Sequence, residues 1–327
     1  MKAIVRQQYG GPEQLQIREV PDPVAVPGEV LVRVKAFGIN RAEQYFRLGA
    51  WGEVAAISGI ECVGEVADDP SGGLLCGQRV LALMGGMGRT RSGSYAQYVS
   101  VPAANVVPVR TRLDWAALAA LPESYATAWS CLHDNLGVRR GDTLLLRGAT
   151  SALGRAALDL AVQAGVRVVA AVRHARRIDT VMALGAQEAV IEGPELEAQV
   201  RSVAAGGVDA VLDLVGTSTL LESLRLARRG GRVCIAGFLG GGDPIAAFEP
   251  MKHLPSGRQL SFFGSAFVYG TPEYPLSDVP FQRLVDLAEA GVLRAKPAQV
   301  FAFGEIQQAH RLLDADAAGG KIVVTVP

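Results

Sequence analysis

Residues 147–154 read RGATSALG, between the apolar run DTLLLR and the segment SALGRAALDLAVQAG, whose apolar residues recur at helical spacing until Gly165. A strand that turns through glycine into a helix is built to meet an anion. The free N–H groups of Ser151, Ala152 and Leu153 would sit at the positive helix end, where a pyrophosphate binds. Gly148 takes the turn, and Gly154 lets the helix close on the strand. Thr150 stands where the strict G-x-G-x-x-G pattern has its second glycine, and Ser151 or Thr150 would cap the helix equally well with no ligand. The next apolar run, VRVVAAV, ends at Arg173, with Arg176 and Arg177 just beyond. An NAD site usually carries Asp or Glu at that strand end to hold the ribose diol. Arginine there suits an extra phosphate instead, because a guanidinium holds two phosphate oxygens in a planar fork. The reading is a nucleotide site that prefers NADPH.

The elements that must position these residues follow from the rest of the chain. TLLLRG, VRVVAAV, EAVI, VDAVLDLVG, GRVCIAG and QLSFFG are strand candidates, with helical segments between them. Near-continuous apolar strands alternating with helices imply a parallel sheet covered on both faces, and six of them match a doubly wound dinucleotide fold. Residues 1–110 differ: MKAIVRQQ, LQIREV, GEVLVRVKAFGI and ISGIECVGEVAD are β-type runs broken by glycine and proline. In DWAALAALPESYATAWSCL, Pro122 separates two short helical stretches. The tail ends in KIVVTV, an apolar strand that needs a sheet to join. The fold class is α/β, a β-rich domain plus a doubly wound parallel sheet.

The 327 residues suffice for two domains, and 49% hydrophobic content supports large cores. Lys plus Arg and Asp plus Glu both number 32, which points to no nucleic-acid partner. No apolar run reaches membrane-span length and MKAIVRQQYG is not a signal sequence, so a cytoplasmic protein is expected. Cys62, Cys76, Cys131 and Cys234 form no CxxC pair, and the four histidines are dispersed. No metal-ligand spacing is present.

The stretches FGINRAEQYFRLG, ISGIECVGEV, GQRVLAL, GSYAQYV, LPESYATAW, RGATSALGRAALDLA, VLDLVG, GGRVCIAGF and GKIVV resemble, in order and over nearly the whole chain, the medium-chain dehydrogenase/reductase superfamily. The resemblance is to its zinc-independent, zeta-crystallin-like quinone oxidoreductase branch. It implies a GroES-like domain, residues 1–118 completed by 266–327, and a Rossmann domain, residues 119–265, with the active site in the cleft joining them. It also implies a homodimer, formed through an edge strand such as QLSFFG. Zinc-dependent relatives carry a ligand cysteine near GINRAE and a histidine in a GHE-type segment. Here Ile39 and Asn40 occupy the first place and SGIE the second, and the four-cysteine lobe is missing.

By the same resemblance, Asn40 and Tyr45 face the nicotinamide or substrate, and Glu43 stands where the family often has Asp. Thr127 resembles a residue near the nicotinamide amide. Val215, Gly216, Gly237 and Phe238 follow strand ends, where ligands of an open sheet bind, and Phe263 with Gly264 resembles a later cofactor-contacting segment. The implied activity is metal-free, NADPH-dependent reduction of quinones. The alternatives are reduction of alkenals, enones or enoyl thioesters, and a structural or redox-sensing NADPH-binding protein. The partner is then a small apolar conjugated carbonyl compound or quinone. Trp51, Met84, Met87, Phe267 and Tyr269 are candidates for an apolar lining, with GGMGRTRSG as a mobile border and Arg258 for an anionic substrate.

Overall fold

The structure, a computed structural model, describes residues 1–327. The chain divides into two compact units, Met1–Ala126 with Ser265–Pro327, and Thr127–Gly264. The first division falls later than residue 118, inside a helix opened by Pro122 (Pro122–Ser130).

The first unit contains β1 (Lys2–Arg6), β2 (Leu15–Glu19), β3 (Glu29–Ile39), β4 (Glu61–Asp68), β5 (Arg79–Leu83), β6 (Tyr98–Pro102) and β7 (Val106–Pro108). The second contains β8 (Thr143–Arg147), β9 (Arg167–Val172), β10 (Glu188–Ile191), β11 (Val208–Asp213), β12 (Ala227–Ile235) and β13 (Gln259–Phe262). β14 (Gln299–Ala302) and β15 (Ile322–Thr325) return to the first.

In the first unit β3 organises a seven-stranded sheet in the order β14-β15-β3-β4-β5-β7, with β6 also on β3. Val30, Val32 and Val34 alternate inward while Arg33 faces out, the period of a half-buried strand. The tail strand β15 finds its sheet here: it pairs antiparallel with β3, setting Ile322 opposite Ile39 and Val323 opposite Gly38. The core gathers Ile4, Val32, Phe37, Tyr95, Val101 and Val324.

Several expectations about this unit need correction. GGMGRTRSG is a packed turn: a Cβ on Gly93 would lie 2.3 Å from the Gly59 carbonyl oxygen. Met84, Met87 and Tyr269 are buried, since each carries apolar bulk into the core, and so they do not line an open surface. Trp51 and Phe267 do reach solvent, stacked on each other with centroids 5.8 Å apart.

The second unit is a six-stranded sheet in the order β10-β9-β8-β11-β12-β13, every pairing parallel. That order is the doubly wound dinucleotide arrangement, whose direction reverses between β8 and β11. Leu144–Leu146 and Val168–Val172 are buried throughout, as strands covered on both faces must be. In this unit Arg258 donates to the carbonyls of Ala227 and Ser256, so loop closure accounts for its guanidinium.

Candidate active site

The turn after β8 is shaped by backbone demands. Gly148 has φ 78°, in the left-handed region that glycine enters without strain. Gly154 lies on the first turn of the helix Ala152–Gln163, and a Cβ there would fall 2.3 Å from the Gly148 carbonyl oxygen. Only glycine lets helix and turn approach so closely. Ser151 is the N-cap: its Oγ accepts from Gly154 N at 3.0 Å and donates to Gly148 O at 2.9 Å. Ala152 and Leu153 open the helix, so their N–H groups have no partner one turn back. The cradle fits a pyrophosphate.

Buried charges brace the neighbouring turn. Asp213 ends β11, fully buried, and accepts from Val215 N (2.9 Å), Gly216 N (3.1 Å), Thr219 Oγ1 (2.8 Å) and Ser223 Oγ (2.6 Å). Ser223 also receives Arg147 Nη1 at 3.1 Å, while Arg147 pairs with Glu192 and Glu222. Gly216 has φ 110°, and a Cβ on Gly237 would lie 2.8 Å from Leu214 O. Val215, Gly216 and Gly237 therefore gather at the ends of β11 and β12. Phe238 lies beside Phe262, Phe263 N donates to Ile235 O at the end of β12, and Gly264 follows it. Thr127 is buried on its helix.

Past the end of β9, Arg173 and Arg176 are exposed, and Arg177 is half-buried. One further cation joins them. Arg155, on the first turn of the helix after β8, reaches the Thr150 carbonyl at 3.4 Å and forms no ion pair. Burial and then the guanidinium of Arg177 push its pKa down. A half-buried arginine facing another arginine is a place for an anion. Sequence reasoning passed over Arg155 because it reads as an ordinary helix residue.

In the first unit, Asn40 follows the end of β3 in extended conformation and is the N-cap of the helix Arg41–Leu48. Its side chain belongs to a charged cluster. Asn40 Nδ2 donates to Glu61 Oε1 at 2.9 Å, and Lys321 Nζ donates to Asn40 Oδ1 at 2.5 Å. Lys321 also donates to Glu61 Oε1 and, at 3.2 Å, to Ser124 Oγ. The second Glu61 oxygen accepts from Glu123 N at 2.7 Å. Glu61 is 0% and Lys321 5% exposed, whereas Asn40 is only half-buried.

Space for the pair comes from Gly38, where a Cβ would stand 2.4 Å from both Glu61 Oε1 and Lys321 Cε. Glu43 accepts from Asn40 N and Ile60 N at 2.8 and 3.0 Å. Burial pushes its pKa up to about 7, against the pull of those two N–H groups. Tyr45 lies half-buried on the same helix, its pKa raised by burial. Lys321, Glu61 and Ser124 are the residues that sequence reasoning missed. Glu61 stood in the SGIE segment, read there only for the histidine it lacked, and Lys321 stood in GKIVV with no sign of its partner.

The residues at the expected zinc-ligand places do not suit a metal. Ile39 and Ile60 are apolar, the Asn40 amide is held by the ion pair, and Glu61 is neutralised by Lys321. No group of three or more His, Cys, Asp or Glu converges that could hold an ion.

Comparison with known proteins agrees with both units. Residues 26–111 match the alcohol dehydrogenase GroES-like domain, and residues 152–281 match the domain described as zinc-binding dehydrogenase. A quinone oxidoreductase of Sus scrofa is 27% identical over 343 residues, with 99% of this chain and 97% of the relative covered. A 2-haloacrylate reductase of a Burkholderia species is 28% identical, with 99% and 98% covered. The crystal structure of an NAD-dependent alcohol dehydrogenase superposes with TM-score 0.83 at 29% identity, over all of both chains. Fold and site thus define an NAD(P)H-dependent oxidoreductase. The chain belongs to the medium-chain dehydrogenase/reductase superfamily, within its quinone-oxidoreductase-like branch. No helix is long and apolar enough to cross a membrane.

Proposed function

We propose that this protein reduces quinones with NADPH and without a metal. Gly148, Thr150, Ser151, Ala152, Leu153 and Gly154 would hold the pyrophosphate, and Arg173, Arg176 and Arg155 the additional phosphate. Val215, Gly216, Gly237, Phe238, Phe263, Gly264 and Thr127 would border the rest of the cofactor. Bound there, NADPH supplies hydride. Asn40 donates a hydrogen bond to the substrate oxygen as charge develops on it, with Tyr45 as a second donor.

The observation that carries the reading is the buried Lys321–Glu61 pair ending on a half-exposed amide, in the place where zinc-dependent relatives keep their ligands. All three N–H bonds of Lys321 are committed, so the ammonium orients rather than donates a proton. A quinone suits that arrangement, because its product oxygens take protons from water. The kinship to a 2-haloacrylate reductase favours one second reading, reduction of a conjugated alkene, with the Tyr45 phenol as donor. A second copy of the chain would pair along β13, an edge strand with exposed Leu260 and Phe262.

The deciding experiment is anaerobic NADPH oxidation with 1,2- and 1,4-quinones, 2-alkenals, cyclic enones, haloacrylates and enoyl thioesters, each product identified. Hydroquinones support the lead reading. Saturated carbonyl products transfer it to the alternative. NADPH that binds tightly but is never oxidised points to a sensor or structural protein.

A further inference from the structure

The Asn40 carboxamide lies between a cation that can only donate and an anion that can only accept. An asparagine side chain has two N–H donors and two lone pairs, and in isolation turns either end toward a partner. Here Oδ1 faces the Lys321 ammonium and Nδ2 faces the Glu61 carboxylate. Reversal would set NH2 against ammonium and oxygen against carboxylate, repulsive on both sides. The amide has one allowed orientation. One N–H remains uncommitted. It belongs to the half-exposed member of a cluster whose other members, Lys321, Glu61, Ser124 and Glu43, are all buried. The ammonium also draws density from Oδ1, which weakens the oxygen as an acceptor and strengthens the N–H as a donor.

We infer that Lys321 is a positioning residue: with Glu61 it locks Asn40 as a one-way hydrogen-bond donor, so the group Asn40 receives is an acceptor oxygen that gains negative charge, the carbonyl or quinone oxygen of the substrate. This rests on the reductase reading above and assigns a direction to its polar contact. Stability alone does not account for the pair. Apolar side chains of similar volume commonly replace a buried ion pair at no loss. Here the room for the pair is maintained at Gly38, and Lys321 enters from the far end of the chain, beside β15.

The test compares the whole protein with Lys321→Met and with Glu61→Gln/Lys321→Met. The single variant strands a buried carboxylate and is expected to unfold at lower temperature. The double variant has no stranded charge, and its Asn40 amide is free to reverse. The expected double variant melts close to the parent and keeps NADPH affinity and quinone KM within about threefold. Its kcat falls roughly 10–100-fold, less than the roughly 100–1000-fold loss of a donor removed outright because Asn40 is still present, and the isotope effect from NADPH deuterated at the transferred hydrogen rises. A double variant that folds like the parent and turns over at the parent rate would overturn the assignment. Should the parent reduce no substrate, the reductase reading fails by itself. The lock is then read from the Asn40 side-chain amide protons by 15N NMR, assigned with Asn40→Ala. Asn40 side-chain amide shifts displaced from those of a free carboxamide in the parent, and slower solvent exchange of its amide protons there than in the double variant, support it. Resonances identical in both contradict it.

Discussion

The two units each bury a charged network and use it differently. Around Asp213 the charges hold backbone: Arg147, Ser223 and Thr219 surround a carboxylate whose role is to fix the N–H groups of Val215 and Gly216. Around Lys321 the charges hold a side chain, the half-exposed amide of Asn40. A surface made of backbone is indifferent to substrate identity and suits a constant ligand such as a dinucleotide. A single aimed amide discriminates by chemistry. The contrast supports the proposed reading, in which the second unit would hold the cofactor and the first would polarise the substrate.

The sharpest break of this contrast is at Gly38. In Gly38→Ala the new methyl falls into the Glu61–Lys321 pair, and disrupting a buried pair costs about 3–5 kcal/mol. Thermal melting should show a large drop in Tm; an unchanged Tm would mean the pair has room to spare.

A second effect separates pH responses. His310 accepts from Arg47 Nε and meets the Tyr95 hydroxyl at 3.0 Å. Burial, and then Arg47, push its pKa down to about 3 from the ordinary 6.5. The unfolded chain therefore takes up a proton that the folded one refuses, and stability is lost as pH falls from 6.5 toward 3. Glu43 has the opposite sign: raised from 4.5 to about 7, it costs stability as pH rises between those values. Relative to the parent, His310→Gln should gain stability progressively as pH drops through the lower window, on the order of a few kcal/mol at its end, read as a rising Tm. A pH-independent Tm difference would contradict the neutral, buried imidazole.

The smallest expected effect is at the phosphate end. Arg173→Ala or Arg155→Ala should each weaken NADPH binding by about 1.5–3 kcal/mol, the range of a charged hydrogen bond, and leave NADH binding unchanged. Parallel titrations check this, and equal loss for both nucleotides would remove the phosphate assignment.

What was legible in the sequence follows the same division. The second unit is local: β8, its glycine turn and its helix are contiguous, so six strands and Gly148–Gly154 could be read from spacing. Arg155 escaped because proximity to Arg177 depends on how α and β elements pack. In the first unit the decisive contacts join residue 40 to residues 61, 124 and 321. No periodicity encodes such a meeting. Asn40 was singled out through family resemblance, and its holders only through the register that sets β15 against β3. The packing of GGMGRTRSG was missed because small residues look the same in a loose loop and in a turn closed against Ser58 and Gly59.

The central claim is tested most directly by stopped-flow single turnover: enzyme saturated with NADPH, mixed anaerobically with excess 1,2-naphthoquinone, parent against Asn40→Ala. The account predicts NADPH affinity and melting temperature close to the parent and a hydride-transfer rate lowered about 10–1000-fold. Equal rates in the two proteins would contradict it.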